Sequence, residues 1–399
     1  MDGVVSFPPD IRLTAGLDRR VAYVMEIEVI PAADRDAAAT AWQVVETAAG
    51  TGLTCSWDWV ETWLNHFGDL VPHAFVVGLN ANGPRGIALL TRGVGQRRGP
   101  FGIATIHLGT AGEPPADSVC VEYNRLLVAP QDRAAFVAGL LRAIRTGDVA
   151  WDALVLNGLV PEDAEPFLCL EPGFLVERRV CHVVDLRAVR KTSGTVMQAL
   201  PKSTAAKVRK NQRRFEERYG AIGSSWAASA AEGLAMLDEL IPLHQDRWLR
   251  VGKPGSFASD RFTAFHRELI GRLLPKGDAV LFRVTAGDQT LGIFYGLVDA
   301  GVLYHYQWGL AHFDDNSLSP GFVVGACCME AALARGLDEL NWLAGDTRYK
   351  REMATAQREL IWAELQRGPR MRLIETLRRL RGWQRSRSPR PATSTGGSR

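Results

Sequence analysis

The sequence has 399 residues, of which 46% are hydrophobic and 23% charged, a composition typical of a globular protein. This length exceeds one ordinary core and indicates two domains. The net charge of +3 is unevenly distributed, because ten arginines and one acid fall between Arg367 and Arg399. That tail carries +9 and leaves about −6 on the rest of the chain. This net negative charge outside the tail disfavours nucleic-acid binding by the protein as a whole.

The cysteine pattern and the apolar runs bear on cellular location. Six cysteines are scattered through mostly apolar strings and no CxxC pair occurs, as expected for reduced core cysteines of a cytosolic protein. No run of 18 apolar residues is present, and the N-terminus lacks the basic and apolar regions of a signal peptide. We therefore expect a cytoplasmic protein.

The first half of the chain predicts an arm, then strands and helices in mixed order. Residues 1–20 are expected to form a flexible arm, and residues 21–185 a first domain. Its predicted elements are a strand at 22–30, helices at 34–49 and 57–67, strands at 74–79, 86–94, 103–108 and 118–128, a helix at 131–145, and strands at 151–156 and 174–184.

A similar series restarts near residue 186 and predicts a second domain over 186–367, followed by a basic tail, largely disordered, over 368–399. Its predicted elements are helices at 202–218, 231–250 and 260–274, strands at 279–285, 290–298 and 302–309, a helix at 320–334, and strands at 339–343 and 360–365. Both halves end with strand, loop, helix and strand, at 118–156 and 302–343, which indicates a duplication. Meanders before a βαβ ending favour an α+β fold over a doubly wound sheet.

The start of the helix at residue 320 has the features of an anion site. Ser319 suits the N-cap, Pro320 suits the first helical position, and Gly321 lacks a side chain where a ligand could approach. The free N–H groups and the dipole of a helix N-terminus attract anions. The segment alone is equally compatible with an ordinary helix start.

A second group of candidate residues follows the strand at 339–343. Asp346, Tyr349 and Lys350 place a carboxylate, a phenol and an ammonium group just beyond the strand's carboxyl end. A tyrosine next to a lysine offers the acid and electrostatic groups that acyl transfer uses. The alternative is a solvated turn in which Asp346 caps a short helix.

Three further segments carry candidate side chains. His244, Arg247 and Trp248 share one helix face and either bind substrate or pack in the core. On the strand at 302–309, His305 points away from its two neighbouring tyrosines and is a candidate base. Glu122 lies in an apolar run and is a candidate for an acceptor amine, while the nearby Glu113 suits a solvated loop.

The helix at 202–218 is basic and includes Arg209 and Arg213. Its charges suit a solvated face, a surface that grips a phosphorylated substrate, or RNA. No P-loop, HExxH, GxSxG or metal-spaced His/Cys set occurs, so NTPase, zinc-hydrolase and serine-hydrolase functions lack support and no metal is expected.

Several of these segments resemble one family in combination. Gly345-Asp346-x-x-Tyr349-Lys350 is similar to the G-D-x-x-Y-K signature of the CelD/BcsL acetyltransferases. The resemblance extends through Ser319-Pro320-Gly321, Leu243-His244-x-x-Arg247-Trp248, the basic run from Lys202 and the early Trp-rich helix, and so covers most of residues 25–366. The family often has an acid at the position of Thr347 and an aromatic residue at that of Met353.

The resemblance implies two tandem GNAT-like domains, similar in fold to Fem-type aminoacyl ligases, with acetyl-CoA or another acyl-CoA as cosubstrate. It implies that the coenzyme A pyrophosphate rests on Ser319, Pro320 and Gly321. The thioester would be polarised by backbone N–H groups near Gln307 and by Lys350. By its resemblance to a comparably placed lysine of the Fem-type enzymes, Lys350 is expected to stabilise transition-state charge.

On this basis we expect acyl transfer to an amine or hydroxyl of a small-molecule or glycan-precursor acceptor, in polysaccharide or cell-envelope biosynthesis. The base is Glu122, Asp346 or His305, and Tyr349 is a candidate to protonate the leaving thiolate. A Fem-type ligase that uses aminoacyl-tRNA and a non-catalytic envelope scaffold are the alternatives. The basic tail is a candidate for peripheral contact with the inner membrane face.

Overall fold

A computed structural model describes residues 25–50, 52–368, 370–374 and 376. The predicted arm at 1–20 and the tail beyond residue 376 lie outside the described residues. The strands are β1 Glu26–Pro31, β2 His73–Asn80, β3 Gly83–Arg92, β4 Arg97–Arg98, β5 Phe101–Gly102, β6 Thr105–Leu108, β7 Leu127–Val128, β8 Ala153–Leu159, β9 Phe174–Asp185, β10 Ile222–Trp226, β11 Ala279–Ala286, β12 Gln289–Asp299, β13 Val302–Leu310, β14 Glu339–Ala344 and β15 Ala356–Gln366.

The helices pack on both faces of these strands. They are α1 Arg35–Ala49, α2 Trp57–Phe67, α3 Arg133–Thr146, α4 Pro161–Leu170, α5 Leu186–Thr192, α6 Val196–Ala199, α7 Lys202–Tyr219, α8 Ala230–Arg250, α9 Asp260–Leu273, α10 Pro320–Ala334 and α11 Arg348–Glu352. Most predicted elements occur within a few residues of their predicted ends. The strand predicted at 118–128 is wrong for most of its length, because only β7 forms there.

One mixed sheet runs through both halves of the chain. Its order is β1-β2-β3-β6-β8-β15-β9-β14-β13-β12-β11-β10, with β7 paired to β3. Strands and helices of this kind in mixed order make an α+β protein, as the sequence predicts.

The two halves exchange strands at the centre of the sheet. β9, from the first half, pairs antiparallel with β14 of the second, with Asp185 opposite Glu339. β15, from the second half, pairs with β8 of the first, with Ile361 opposite Leu159. β9 and β15 also pair with each other from Ala356 to Leu365. Each half is therefore completed by a strand of the other, and the halves share one continuous sheet.

Each half contains one pair of parallel strands that separates along its length. β6 and β8 are in register up to His107 and Val155. β13 and β14 are in register up to Tyr304 and Asn341, beyond which each continues without the other. This repetition agrees with the predicted duplication, and each separation opens a gap between two strands where a ligand can enter.

The core also joins the halves. Trp59 and Trp63 of α2 are fully buried, and the Trp59 ring lies 5.2 Å from that of Phe265 on α9. One apolar cluster thereby runs between α2 of the first half and α9 of the second. Within the described residues, no helix combines the length and apolar character needed to cross a bilayer.

Candidate functional site

The gap between β13 and β14 begins at a β-bulge. Tyr295 of β12 pairs with Gln307 and Gly296 pairs with His305, so that Tyr306 has no opposite residue. A bulge of this kind bends the strand and interrupts its ladder of hydrogen bonds. It lies at the point where the resemblance places the backbone N–H groups near Gln307 that would polarise a thioester.

His305 occupies the same gap. Its ring packs 4.8 Å from that of Trp308 and 5.4 Å from that of Trp342 on β14, and its buried Nε2 atom has no hydrogen-bond partner within the described chain. Burial, with smaller contributions from Lys350 and Arg247, lowers the pKa of His305 to about 3. A histidine with so low a pKa is a weak base, so the structure gives little support to His305 as the proton acceptor.

The start of α10 retains one unsatisfied donor. The N–H of Ser319 donates to Oδ1 of Asn211 on α7 at 2.7 Å, and Pro320 has no N–H to offer. The N–H of Gly321 has no acceptor among the described residues. A Cβ added at Gly321 would lie 3.3 Å from Leu310 Cδ1, so a larger residue at this position would meet protein atoms as well as any bound ligand. The start of α10 can therefore bind an anion through the N–H of Gly321 and the positive end of the helix dipole.

The basic helix α7 lies beside this helix start. Arg214 donates to the carbonyl of Ser317 at 2.7 Å, which fixes the loop that precedes α10. Lys207 forms an ion pair with Glu352 of α11 at 2.7 Å. Arg209 and Arg213 are exposed and have no ion pair within the described chain. Lys207, Asn211 and Arg214 define the face of α7 that contacts α10 and α11, and the helical repeat turns Arg209 and Arg213 away from it, so the structure does not direct these two arginines at the start of α10.

Tyr349 joins α11 to the start of α10. Its hydroxyl donates to the carbonyl of Gly321 at 3.0 Å, and its ring packs 5.2 Å from that of Trp308. Burial raises the pKa of Tyr349 well above its usual value of 10. A phenol that is bonded to a carbonyl and so weakly acidic is better suited to hold α11 against α10 than to protonate a thiolate.

Lys350 lies beneath the end of β14. Its Nζ donates to the carbonyls of Leu343 at 3.2 Å and Ala344 at 2.7 Å. An ammonium group has three donors, so one remains for a ligand. Burial lowers the pKa of Lys350, while the charge of Glu122 opposes that shift.

Asp346 pairs with two basic groups instead of facing the bulge. Its Oδ1 accepts from Arg351 at 2.6 Å and lies 3.0 Å from Nε2 of the buried His182 on β9. Hydrogen bonds from Arg351 first and His182 second lower the pKa of Asp346. His182 was not predicted as a site residue, because only the exchange of β9 into the second half brings it there.

Glu122 comes from the first half to meet the end of β14. Its Oε2 accepts from the N–H of Ala344 at 2.7 Å, and Lys350 is among the charges that act on it. Burial raises the pKa of Glu122. Of the three candidate bases, Glu122 alone combines proximity to Lys350 with a pKa shifted toward neutrality.

Backbone strain concentrates where Glu122 meets β14. Cys120, Tyr123 and Leu343 have φ values of 50°, 55° and 61°, in the left-handed region that non-glycine residues rarely adopt. Strain of this kind persists where the surrounding structure enforces it, and it is frequent at active sites. The irregular backbone at 117–124 replaces the predicted strand and turns Glu122 toward the second half.

The three candidates on α8 divide between core and surface. His244 is buried, and its Nε2 accepts from Nε1 of Trp248 at 2.9 Å, so these two side chains satisfy each other. Arg247 is exposed, and its charge lowers the pKa of both His305 and Tyr349. Arg247 therefore acts on the gap through its charge, and His244 reaches the gap through a side-chain hydrogen bond with Gln307 of β13. Within the described residues, no group of His, Cys, Asp or Glu has the arrangement of a metal site.

Comparison with known proteins finds one family that is similar to the second half of this chain. The family described as "Acetyltransferase (GNAT) domain" matches residues 202–351, which include the bulge, α10, Asp346, Tyr349 and Lys350. No curated protein sequence is significantly similar to this chain.

Solved structures with a similar fold cover almost the whole described chain. The crystal structure of FemX has a TM-score of 0.52 at 14% identity, over 85% of this chain and 97% of FemX. L-PGS from Bacillus licheniformis has a TM-score of 0.49 at 12% identity, over 86% and 96%. A tandem GNAT protein from the clavulanic acid biosynthesis pathway has a TM-score of 0.43 at 13% identity, over 86% and 99%. At these identities the likeness concerns the fold alone.

Proposed function

We propose that the protein moves an acetyl or other acyl group from acyl-CoA to an amine or hydroxyl of a sugar- or amino-acid-like acceptor, because residues 202–351 match the family described as "Acetyltransferase (GNAT) domain". The observation that carries the proposal is the convergence of four features on one gap between β13 and β14. These are the bulge at Tyr306, the free N–H of Gly321, the remaining donor of Lys350 and the carboxylate of Glu122.

The second half would hold the cosubstrate. Its pyrophosphate would accept from the N–H of Gly321 at the positive end of α10, where Arg214 of α7 holds the preceding loop through the carbonyl of Ser317. The cosubstrate supplies a thioester carbonyl. Backbone donors at the bulge, together with Lys350, would stabilise the negative charge that develops on the carbonyl oxygen.

The first half would supply the base. Glu122 would take the proton from the acceptor as its nitrogen or oxygen forms a bond to the acyl carbon and the carbon–sulfur bond breaks. The thiolate would then receive that proton from Glu122 through water, which restores the carboxylate. Burial of Glu122 raises its pKa toward the working pH, which favours general-base action. Tyr349 would position α11 against α10.

The CelD/BcsL subtype and a role in polysaccharide or cell-envelope biosynthesis form part of this proposal. They rest on the spacing of Gly345, Asp346, Tyr349 and Lys350 and on the segments that precede it. A Fem-type ligase that uses aminoacyl-tRNA is the second candidate, and the unpaired cations on α7 are the observation that favours it.

A thiol-release assay tests the proposal. The purified chain is incubated with acetyl-CoA and a panel of amino sugars, sugars and amino acids, and free coenzyme A is measured while mass spectrometry identifies any acetylated product. We expect acceptor-dependent release and a product heavier by one acetyl group. Coenzyme A release without any acetylated product would contradict the proposal, and so would the absence of both coenzyme A release and acetylated product.

A further inference from the structure

A polar cleft of about 470 Å³ lies in the first half of the chain, at the gap between β6 and β8. Its volume falls in the range of small-molecule sites. Among the residues that line it are His107, Glu113, Cys120, Glu122, Asn157 and Trp362. Glu122 thus belongs both to this cleft and to the junction with β14.

The first half does not repeat the anion site of the second. At the corresponding helix, α3, the carboxylates of Asp132 and Asp163 occupy the N-terminal region. Asp163 accepts from the N–H of Leu126 at 3.0 Å and pairs with Arg133 at 2.8 Å, and Asp132 pairs with Arg85 at 3.1 Å. Side chains of the chain itself therefore occupy this helix start and are paired with one another, so it offers no free anion site like that at Gly321, and the cleft suits a ligand other than a second acyl-CoA.

The cleft contains two carboxyl groups that form no ion pair within the described chain, although Arg179 also lines the cleft and acts with Lys350 on Glu122 at longer range. Glu113 is 4% exposed and accepts from Nε1 of Trp63 at 2.8 Å. Neither Glu113 nor Glu122 forms an ion pair with a lysine, arginine or histidine of the described chain. A buried carboxylate is costly unless a cation or further hydrogen bonds compensate it. A cationic ligand would supply that compensation.

The cleft also adjoins the acyl-transfer site. The hydroxyl of Tyr306, the bulged residue, donates to the carbonyl of Val119 on the cleft's own loop. On its other side, Glu122 is bonded to Ala344 beside Lys350. A molecule in the cleft would therefore lie next to the bulge and to the proposed base.

We propose that this cleft binds the acceptor, and that the acceptor is a small molecule with a protonated amine that pairs with Glu113 and Glu122 while its remaining surface lies against Trp362. The proposal rests on the proposed function. Glu122 takes one proton from the ammonium group and releases it to solvent, which leaves the neutral amine. As that amine attacks the thioester carbon and the carbon–sulfur bond breaks, a second proton leaves the nitrogen and reaches the departing thiolate through Glu122 and water. An acceptor bound only through hydroxyl groups would leave both carboxylates unpaired.

Alkylation of Cys120 tests the proposal directly, because this residue is exposed and lines the cleft; all samples are held at one pH, since burial raises the pKa of its thiol. The full chain is treated with N-ethylmaleimide, and modification is followed by mass spectrometry at Cys120 and, as the matched control, at the exposed Cys169 on α4. The probes are two matched pairs, glucosamine with glucose and cadaverine with 1,5-pentanediol. Each pair differs mainly in an amine for a hydroxyl.

We expect at least one amine to slow alkylation of Cys120 about threefold or more, with no effect of its hydroxyl partner and none at Cys169. Glu113→Gln should abolish most of the protection. Equal protection by amine and hydroxyl, or protection by neither, would overturn the proposal. Coenzyme A binding is measured on the same samples. Normal coenzyme A binding without protection of Cys120 would contradict only the claim that the cleft binds the acceptor. Protection of Cys120 without coenzyme A binding would contradict the proposed acyltransferase function.

Discussion

Replacement of Glu122 by glutamine separates catalysis from folding at the junction of the two halves. Oε2 of Glu122 accepts from the N–H of Ala344 at 2.7 Å, and an amide oxygen of glutamine can accept the same bond. We therefore expect the free energy of unfolding to change by less than about 1 kcal/mol. Turnover should fall by about 10²–10⁴, the usual contribution of a general base.

The pH profile gives a second, independent result. Because burial raises the pKa of Glu122, wild-type kcat/KM should rise with pH as this carboxyl group ionises. Glu122→Gln should lose that limb. The charge of Glu122 also raises the pKa of Lys350, so its removal should move the loss of the Lys350 proton to lower pH.

The assay is initial-rate coenzyme A release over about pH 5 to 9, with the thermal midpoint measured on the same preparations. Glu359→Gln is the matched control, because Glu359 is an exposed glutamate on β15 that pairs with Arg178. Activity of Glu122→Gln within threefold of wild type, or an unchanged pH profile, would remove Glu122 from the mechanism. A large fall in thermal midpoint would make its role structural.

Four further predictions concern other parts of the chain. Lys350→Met should lower turnover about a hundredfold, as expected for loss of one oxyanion donor, whereas Lys276→Met should not; equal activities would contradict the role of Lys350. Gly321→Val should lower both coenzyme A affinity and, by about 1–3 kcal/mol, stability, because side chains fill the space beyond its Cα; unchanged values in titration calorimetry and melting would refute this. Burial raises the pKa of Glu113 from 4.5 to about 7, so the free energy of unfolding of the wild type should fall by up to about 3 kcal/mol as pH rises through this range, whereas that of Glu113→Gln should not. A difference in thermal midpoint between the two proteins that does not change with pH would contradict this prediction. Deletion of residues 377–399 should reduce salt-sensitive sedimentation with anionic liposomes, and equal binding would exclude a membrane role for the tail.

The fold was largely accessible from the sequence because its signals are local. Helical spacing in α2 and α8 and alternation in β12 and β13 are set by neighbouring residues, and the structure confirms these elements. Likewise, α10 begins at Pro320 with Ser319 at the N-cap position, as predicted. The α+β class follows from the order of such elements, whereas the tandem GNAT-like architecture was predicted from the family resemblance of the motifs at Ser319 and Gly345.

The arrangement of the site depended on contacts that no local pattern records. The exchange of β9 and β15 brings His182 beside Asp346, although 164 residues separate them. The sequence also gives Glu113 the character of a loop carboxylate, whereas the structure buries it beneath Trp63. An apolar run predicted a strand around Glu122, but positive φ at its neighbours makes a turn that only the facing half of the protein can enforce.

The prediction for Gly321 shows a similar limit. A glycine at a helix start indicates space for a ligand, but which neighbours fill that space is a tertiary property. Here Leu310 and Trp308 lie within 4 Å of the absent Cβ. Blocking of a ligand and overpacking of the core are therefore expected together at this position.

Paired calorimetric titrations test most directly the central claim that the gap beside α10 binds acyl-CoA. Acetyl-CoA and, separately, aminoacyl-tRNA are titrated into the wild-type chain at two salt concentrations. The account predicts saturable binding of acetyl-CoA at one site per chain and weak, strongly salt-dependent association of tRNA with the basic face of α7. Saturable tRNA binding at the higher salt concentration, with no detectable heat from acetyl-CoA, would contradict it and favour a Fem-type ligase.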